Sequence, residues 1–257
     1  MAVCIGGGAV CVGVLVMAVW VVQLRAVWSP VYFTKGTRRD YPLVAPGKMI
    51  NSTQASLILN HTSRCECRAA CWTAPWCVAV AAVVVSGKVQ CHLSEEGPLQ
   101  QDLKDNADAT YYYWKRAVPH LYYGVKMRDG LLYVILEEPV TFMEAREMCQ
   151  KLPGHRLAIT KFKQQYNILF NTANHYDEEL WVDLHSMGKD HPRIWGDKTP
   201  FDDTETRDVA ETKDGFKEEK GYRMRGNELH DTDINKKYLP FCQASPSGVP
   251  FSETPWA

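Results

Sequence analysis

The sequence predicts an α+β chain of two disulfide-stitched units behind an apolar leader, and three observations carry that prediction. Valine- and tyrosine-rich runs bounded by Gly, Pro and Ser alternate with stretches whose apolar residues recur every three or four positions, so strands and amphipathic helices are interleaved. Five of the nine cysteines crowd between Cys65 and Cys91 while Cys149 and Cys242 stand far apart, a distribution suited to disulfides in an oxidising compartment. The 257 residues exceed one ordinary core, which organises roughly 100–200 residues, so two units are expected. Hydrophobic content of 46% with 23% charge is that of a globular protein. A net charge of -1 gives no field to gather an anionic polymer, so nucleic acid is not expected as a partner.

The first 24 residues carry no charged side chain, and about 20 apolar residues suffice to cross a bilayer as a helix. Leu24-Arg25-Ala26 and Val27-Trp28-Ser29 offer cleavage sites, which makes 1–28 a secretory signal peptide; a basic n-region is missing, and an uncleaved anchor is the rival reading. Arg25, Lys35, Arg38 and Arg39 follow the apolar run, so the positive-inside rule would hold the bulk of an anchored chain in the cytosol. The seven remaining cysteines and two glycosylation acceptors, Asn51 in Asn-Ser-Thr and Asn60 in Asn-His-Thr, argue the other way. Cleavage and secretion are the expectation, with membrane contact only if the leader stays on the chain.

Residues 29–48 hold three prolines and two glycines without periodicity and read as an irregular lead-in. The first unit is expected over 49–117. In it, Ser63 to Trp72 is a helix candidate stopped by Pro75, and the run from Cys77 to Val85 is a strand turning at Gly87 into a second that ends near Leu93. The stretch "ATYYYWKR" gives a third strand, and 118–120 joins the units.

The second unit is expected over 121–244. "LLYVILEE" is a strand ended by Pro139. Phe142, Ala145, Cys149 and Leu152 then recur at helical spacing behind Thr141, with Glu144 three residues on, which is the pattern of a capped amphipathic helix with Cys149 on its buried face. Phe162, Tyr166, Leu169 and Ala173 form the stripe of a second helix. "ELWVDLH" is a strand with Leu180, Val182 and Leu184 on one face and Trp181 on the other. From Asp202 to Glu219 eight acids face three bases, with Val209 and Phe216 as the sizeable apolar residues, so a long loop unable to bury itself is expected. "GYRM" and "YLPFCQ" return as strands, with Glu228, His230, Asp231 and Asp233 in the polar run between them read as the solvated rim of a loop. Residues 245–257 read as a disordered tail. A bond between Cys149 and Cys242 would clamp nearly the whole unit, a closure worth roughly 4 kcal/mol.

These residues carry a resemblance. "FMEAREMCQKLPGHRLAIT", "ELWVDLH", "IWGDKTPFD" and "YLPFCQ" fall in the order and spacing of a C-type lectin-like domain over about 120 residues. Gly154 to Ala158 looks like the family's "GHLA" turn, Trp181 to Leu184 its "WIGL" strand, Trp195 to Pro200 its "W.DG.P" turn, and Pro240 to Cys242 its closing "PFIC" strand. Two departures matter. Tyr222 and Ile234 stand where the family's inner disulfide has its cysteines. Sugar-binding members hold calcium through an "EPN" or "QPD" triplet and the Asn and Asp of "WND"; here the long loop has no such triplet, and Leu229-His230-Asp231 stand where "WND" would be. Calcium needs roughly six to eight oxygens. Asp231 alone keeps a signature ligand, so no cofactor is assigned, and calcium is the one ion the resemblance brings into question. Zinc on His230 with Asp231 or Asp233 lacks any paired histidine motif, and no metal ligand is assigned.

In the first unit Cys67, Cys71, Cys77 and Cys91 resemble the cysteine pattern of a PAN/apple-like domain over about 70 residues. The resemblance implies Cys67 bonded to Cys91 and Cys71 to Cys77, although four cysteines permit three pairings. Cys65 is left over, and an odd cysteine in a secreted protein can join two chains as a dimer.

No nucleophile elbow, H-E-x-x-H, P-loop or dinucleotide fingerprint occurs, so an enzyme is not expected. The fold expected is thus C-type lectin-like, preceded by a small disulfide-rich PAN/apple-like α+β domain. The function expected is calcium-independent recognition of an extracellular glycan or protein, with Asp231, His230, Asp208 and Glu205 as ligand-binding candidates. Two alternatives stand beside it: a calcium-dependent lectin of innate immunity, and a matrix or adhesion component linked through Cys65.

Overall fold

The computed structural model describes residues 32–33, 42–120, 122–125, 129–187, 191–211 and 220–245. The leader read over 1–28 and residues 246–257 of the expected tail lie outside the described residues.

The first half forms a sheet of six strands: β1 (Tyr32–Phe33), β2 (Leu43–Met49), β3 (Leu57–His61), β4 (Ala79–Val85), β5 (Lys88–Ser94) and β6 (Lys104–Tyr113), with helix α1 (Arg64–Thr73) packed against it. The order is β1-β2-β6-β4-β5-β3, and every neighbouring pair is antiparallel. Ser63 starts α1: its hydroxyl accepts the Glu66 N–H at 3.3 Å, and the Glu66 carboxylate accepts the Thr62 and Ser63 N–H groups at 2.8 and 3.3 Å, so orphan donors of the first turn are satisfied. The helix buries Cys67 and Cys71, bonded to Cys91 of β5 and to Cys77. β4 is buried on both faces from Ala79 to Val83, while Val84 and Val85 run out toward solvent. Val80 and Ala82 pack under α1 with Leu93 and Trp114, while Ala79, Ala81 and Val83 face the second half of the molecule.

The second half contains β7 (Tyr122–Val125), β8 (Leu132–Ile135), helix α2 (Phe142–Lys151), β9 (His155–Leu157), helix α3 (Lys163–Tyr176), β10 (Leu180–Ser186), β11 (Ile194–Trp195), β12 (Ala210–Glu211), β13 (Lys220–Arg225), β14 (Glu228–Asp233) and β15 (Leu239–Ala244). The sheet runs β12-β14-β13-β10-β15-β8-β7, with β11 on β10 and β9 on β15. Strand alternation again feeds two cores. Leu132 and Val134 of β8 join Phe142, Ala145, Cys149 and Trp181 on the face toward the first sheet, while Tyr133 and Ile135 join Leu169, Val182, Tyr222 and Phe241 on the other. The Cys149–Cys242 bond ties α2 to β15.

Four expectations are corrected. The segment 29–48 is not wholly irregular, because β2 pairs with β6 from Leu43 to Met49. Its proline and glycine are absorbed by a register shift between Pro46 and Lys48 with Gly47 at φ 76, the bulge that lets a proline sit in a strand. β3 was not expected. It is the outermost strand of its sheet, with Leu57 and Ile58 about two-fifths exposed, so it lacks the alternation that marks a strand. The stretch Glu228–Asp233 is strand and not loop, paired with β13 at all six positions across the turn at Gly226, φ 59. The first part of the acidic stretch is structured: Phe201 is fully buried, Thr204 and Thr206 are buried 3.1 Å apart, and β12 pairs in parallel with β14. Residues 212–219 of that stretch lie outside the described residues.

Candidate functional site

The rim that sequence reasoning singled out is built on the β13–β14 hairpin and the short 3₁₀ turns Phe201–Asp203 and Arg207–Val209. β14 alternates poorly. Leu229 and Thr232 are buried, whereas Glu228, His230, Asp231 and Asp233 are half-buried. His230 Nε2 lies 3.8 Å from Glu228 Oε2, two residues away on the same face. Asp231 points to the opposite face and pairs across the ladder with Tyr222. Asp233 is committed to the turn into β15: its Oδ1 accepts from the Asn235 backbone N–H at 2.9 Å and side-chain amide at 3.0 Å, and the backbone bond holds its carboxyl below the usual range.

The other two candidates sit apart from this pair. Glu205 Oε2 accepts the Lys163 N–H at 3.1 Å, fastening the rim to the first turn of α3. Asp208 is exposed beside Arg207 at 3.6 Å. The parallel β12–β14 pairing, Glu211 opposite His230, brings the stretch after Asp208 against β14. The four candidates therefore share one corner of the sheet without forming one cluster.

Calcium does not fit these residues by the family pattern. His230 offers nitrogen where the family's Asn gives an oxygen ligand, and Asp233, the next acid on the strand, is tied to Asn235. Among the described residues no three His, Cys, Asp or Glu side chains converge to hold an ion. Tyr222 and Ile234, at the two places of the inner disulfide, are packed into opposite cores, Tyr222 with the α3 side and Ile234 with the α2 side.

Sequence reasoning missed a polar network on the other side of β10. Asp183 is 8% exposed, at the register shift between Val182 and His185 in the β10–β13 pairing, where β11 takes over from β15 on the other edge of β10. Arg146 of α2 donates from Nε to Asp183 Oδ1 at 2.6 Å and lies with its Nη2 3.0 Å from His185 Nδ1, its guanidinium stacked over the Phe142 ring at 4.6 Å. Burial pushes the Asp183 carboxyl above its usual value, and Arg146 pulls against that shift. Gly196 closes the site, since a Cβ there would stand 1.8 Å from Asp183 Oδ2. Lys161 joins the adjacent turn through Asp197 at 2.8 Å and Thr199 at 3.3 Å; burial would raise the Asp197 carboxyl, but the Lys161 bond and those that Asp197 accepts from Thr199 outweigh it and hold it low. The signal was a lone acid inside the apolar "LWVDL", because a buried charge demands a partner.

No catalytic constellation is built from these groups: Arg146 and Asp183 form a closed ion pair under α2. Among the described residues no helix is long and apolar enough to cross a membrane.

Residues 138–244 match the family model described as the lectin C-type domain. No curated protein sequence matches the chain. Among solved structures, the trimeric Kupffer cell C-type lectin receptor Clec4f is 20% identical over 47% of this chain and 82% of its own, with a TM-score of 0.40. TC14, a C-type lectin of the tunicate Polyandrocarpa misakiensis, is 13% identical over 44% of this chain and 96% of its own, with a TM-score of 0.37. Human lithostathine is 12% identical over 47% of this chain and 96% of its own, also with a TM-score of 0.37. The segment 138–244, with its two helices and mixed sheet, is thereby identified as a C-type lectin-like domain.

Proposed function

We propose that the chain is a secreted, non-catalytic recognition protein whose C-type lectin-like domain binds an extracellular glycan or protein without calcium. What supports this reading is the family match over 138–244 combined with the loss of an ion ligand on β14, where His230 stands in the place of the family's Asn and Asp231 is the one retained acid of the pattern. The contact surface lies at the β14 corner, with Asp208 and Glu205 on the turns beside the strand and His230 and Asp231 presented from its opposite faces. We read the first unit as a PAN/apple-like domain with glycans on Asn51 and Asn60, as passage through the secretory route would leave them. A glycan array, together with pull-down on sugar-bearing resin, tests this with and without EDTA. Binding that survives EDTA and falls with Asp231→Asn is expected; binding abolished by EDTA selects the calcium-dependent lectin of innate immunity instead.

A second reading is favoured by one observation. Among the described residues Cys65 is the cysteine outside the three disulfides, and it is exposed on α1. As an intermolecular link it would make the protein a matrix or adhesion component. A non-reducing gel then shows a dimer that disappears on reduction and in Cys65→Ser.

A further inference from the structure

Away from the β14 corner, the two halves of the molecule meet along a cleft of about 450 Å³, within the range of ligand sites. Its floor is apolar: Leu99 and Pro119 from the first half, and Leu136, Val140 and Met148 from the second. Its rim is acidic. Glu137 and Glu138 stand on the bend after β8, and Glu144 and Glu147 project from α2 with Lys151 one turn beyond. Glu144 is already engaged, its Oε2 accepting the Thr141 N–H and hydroxyl at 2.9 and 2.8 Å with Lys237 nearby. Among the described residues Glu137, Glu138 and Glu147 form no ion pair, and all three are exposed. In a chain with a net charge of -1 this is a local concentration of unbalanced acid over an apolar trough.

The chemistry of such a trough selects its occupant. A lysine or arginine side chain is an apolar stem with a cationic tip, so it lays its methylenes on Leu136, Val140 and Met148 while its charge meets the carboxylates above. From Glu144 to Lys151 the helix rises about 10 Å, the length of roughly three residues of extended chain. A divalent cation is a poor match, because the carboxylates line a rim and do not converge. We infer that this cleft docks an extended Lys/Arg-rich segment of a partner protein. The site is separate from the β14 corner, so the protein would hold two ligands of different chemistry at once.

Fluorescence anisotropy of the full chain with a fluorescein-labelled peptide of alternating lysine and leucine tests the inference, its glutamate-for-lysine counterpart serving as control. The basic peptide binds and the acidic one does not, and added salt weakens the complex. The double variant Glu137→Gln/Glu147→Gln weakens binding about fivefold or more, as expected for losing two partly exposed charge contacts. Met148→Gln also weakens it; if that variant melts earlier than the parent, the glutamine pair decides. The exposed control Glu178→Gln and the β14 variant Asp231→Asn bind the peptide as the parent does, which keeps this result separate from that of the glycan array. The inference is overturned if the glutamine pair binds like the parent, if Glu178→Gln loses as much, or if spermine displaces the probe as well as unlabelled peptide does.

Discussion

At the scale of single residues, two buried ionisable groups set the response to acid. His155 of β9 is fully buried, its Nδ1 3.1 Å from the Pro153 carbonyl and so the protonated nitrogen of a neutral ring, and burial lowers its pKa to about 4. The unfolded ring binds its proton near pH 6.5, so the stability this group contributes is present above that value and is lost as pH falls toward about 4. The loss reaches about 3 kcal/mol at most. Urea midpoints of the parent at pH 7.5 and 4.5 fall more steeply than those of His155→Gln. Asp183 runs the opposite way, its raised pKa meaning that the folded state gains as pH falls. Arg146→Met strands that carboxylate and costs about 3 kcal/mol at pH 7.5. The deficit relative to the parent shrinks at pH 4.5 and is relieved by adding Asp183→Asn. Neither group was assigned a role from sequence. The lone acid in "LWVDL" hints at a buried charge, but its partner Arg146, and the burial of a histidine in a turn motif, show only once α2 and the Trp195 turn are placed over them.

At the scale of elements, legibility followed periodicity. α2 and α3 were readable because Cys149 and Leu169 repeat with their neighbours at helical spacing and stay buried, and β4 because an apolar run between Pro75 and Gly87 leaves one choice. Both helices of the cysteine framework start with the same device, Ser63 with Glu66 and Thr141 with Glu144. Thr141→Ala lowers stability by about 1 kcal/mol in thermal or urea melts, and Glu144→Gln by less, since an amide can still accept the Thr141 N–H. β2, β3 and β14 were not readable. A strand held by backbone ladders tolerates Pro46 at a bulge, exposed Leu57, or the acids of "ELHDTD", so side-chain pattern carries little information there. The candidate site inherits that blindness: taking β14 for a loop made its acids look free to converge, whereas a strand sends His230 and Asp231 to opposite faces.

At the scale of the whole molecule, one apolar core joins the halves. Leu43, Ala81 and Tyr113 from the first sheet belong to the same cluster as Leu132, Phe142 and Trp181 from the second. Heating therefore gives a single calorimetric transition, and the isolated segment 121–245 melts earlier than the same segment in the intact chain, because its α2 face is bared. The Cys149–Cys242 bond closes a loop of 93 residues, and the pair Cys149→Ala/Cys242→Ala loses about 4 kcal/mol by urea unfolding. The long-span tie was evident in the sequence as two distant cysteines, while the shared core was not, since nothing in a strand's alternation says which neighbour will cover each face.

The outermost strand β3 has a bearing on how the purified protein behaves in solution. Among the described residues no strand pairs with its outer edge, which lies beside exposed Leu57 and Ile58, and Asn60, at an acceptor sequence for sugar, stands on the same strand. A bulky oligosaccharide at that position would fend off lateral stacking of one sheet upon another. Material made in bacteria, which leaves Asn60 bare, should scatter light increasingly with concentration, and Ile58→Lys should restore clear, monodisperse solutions.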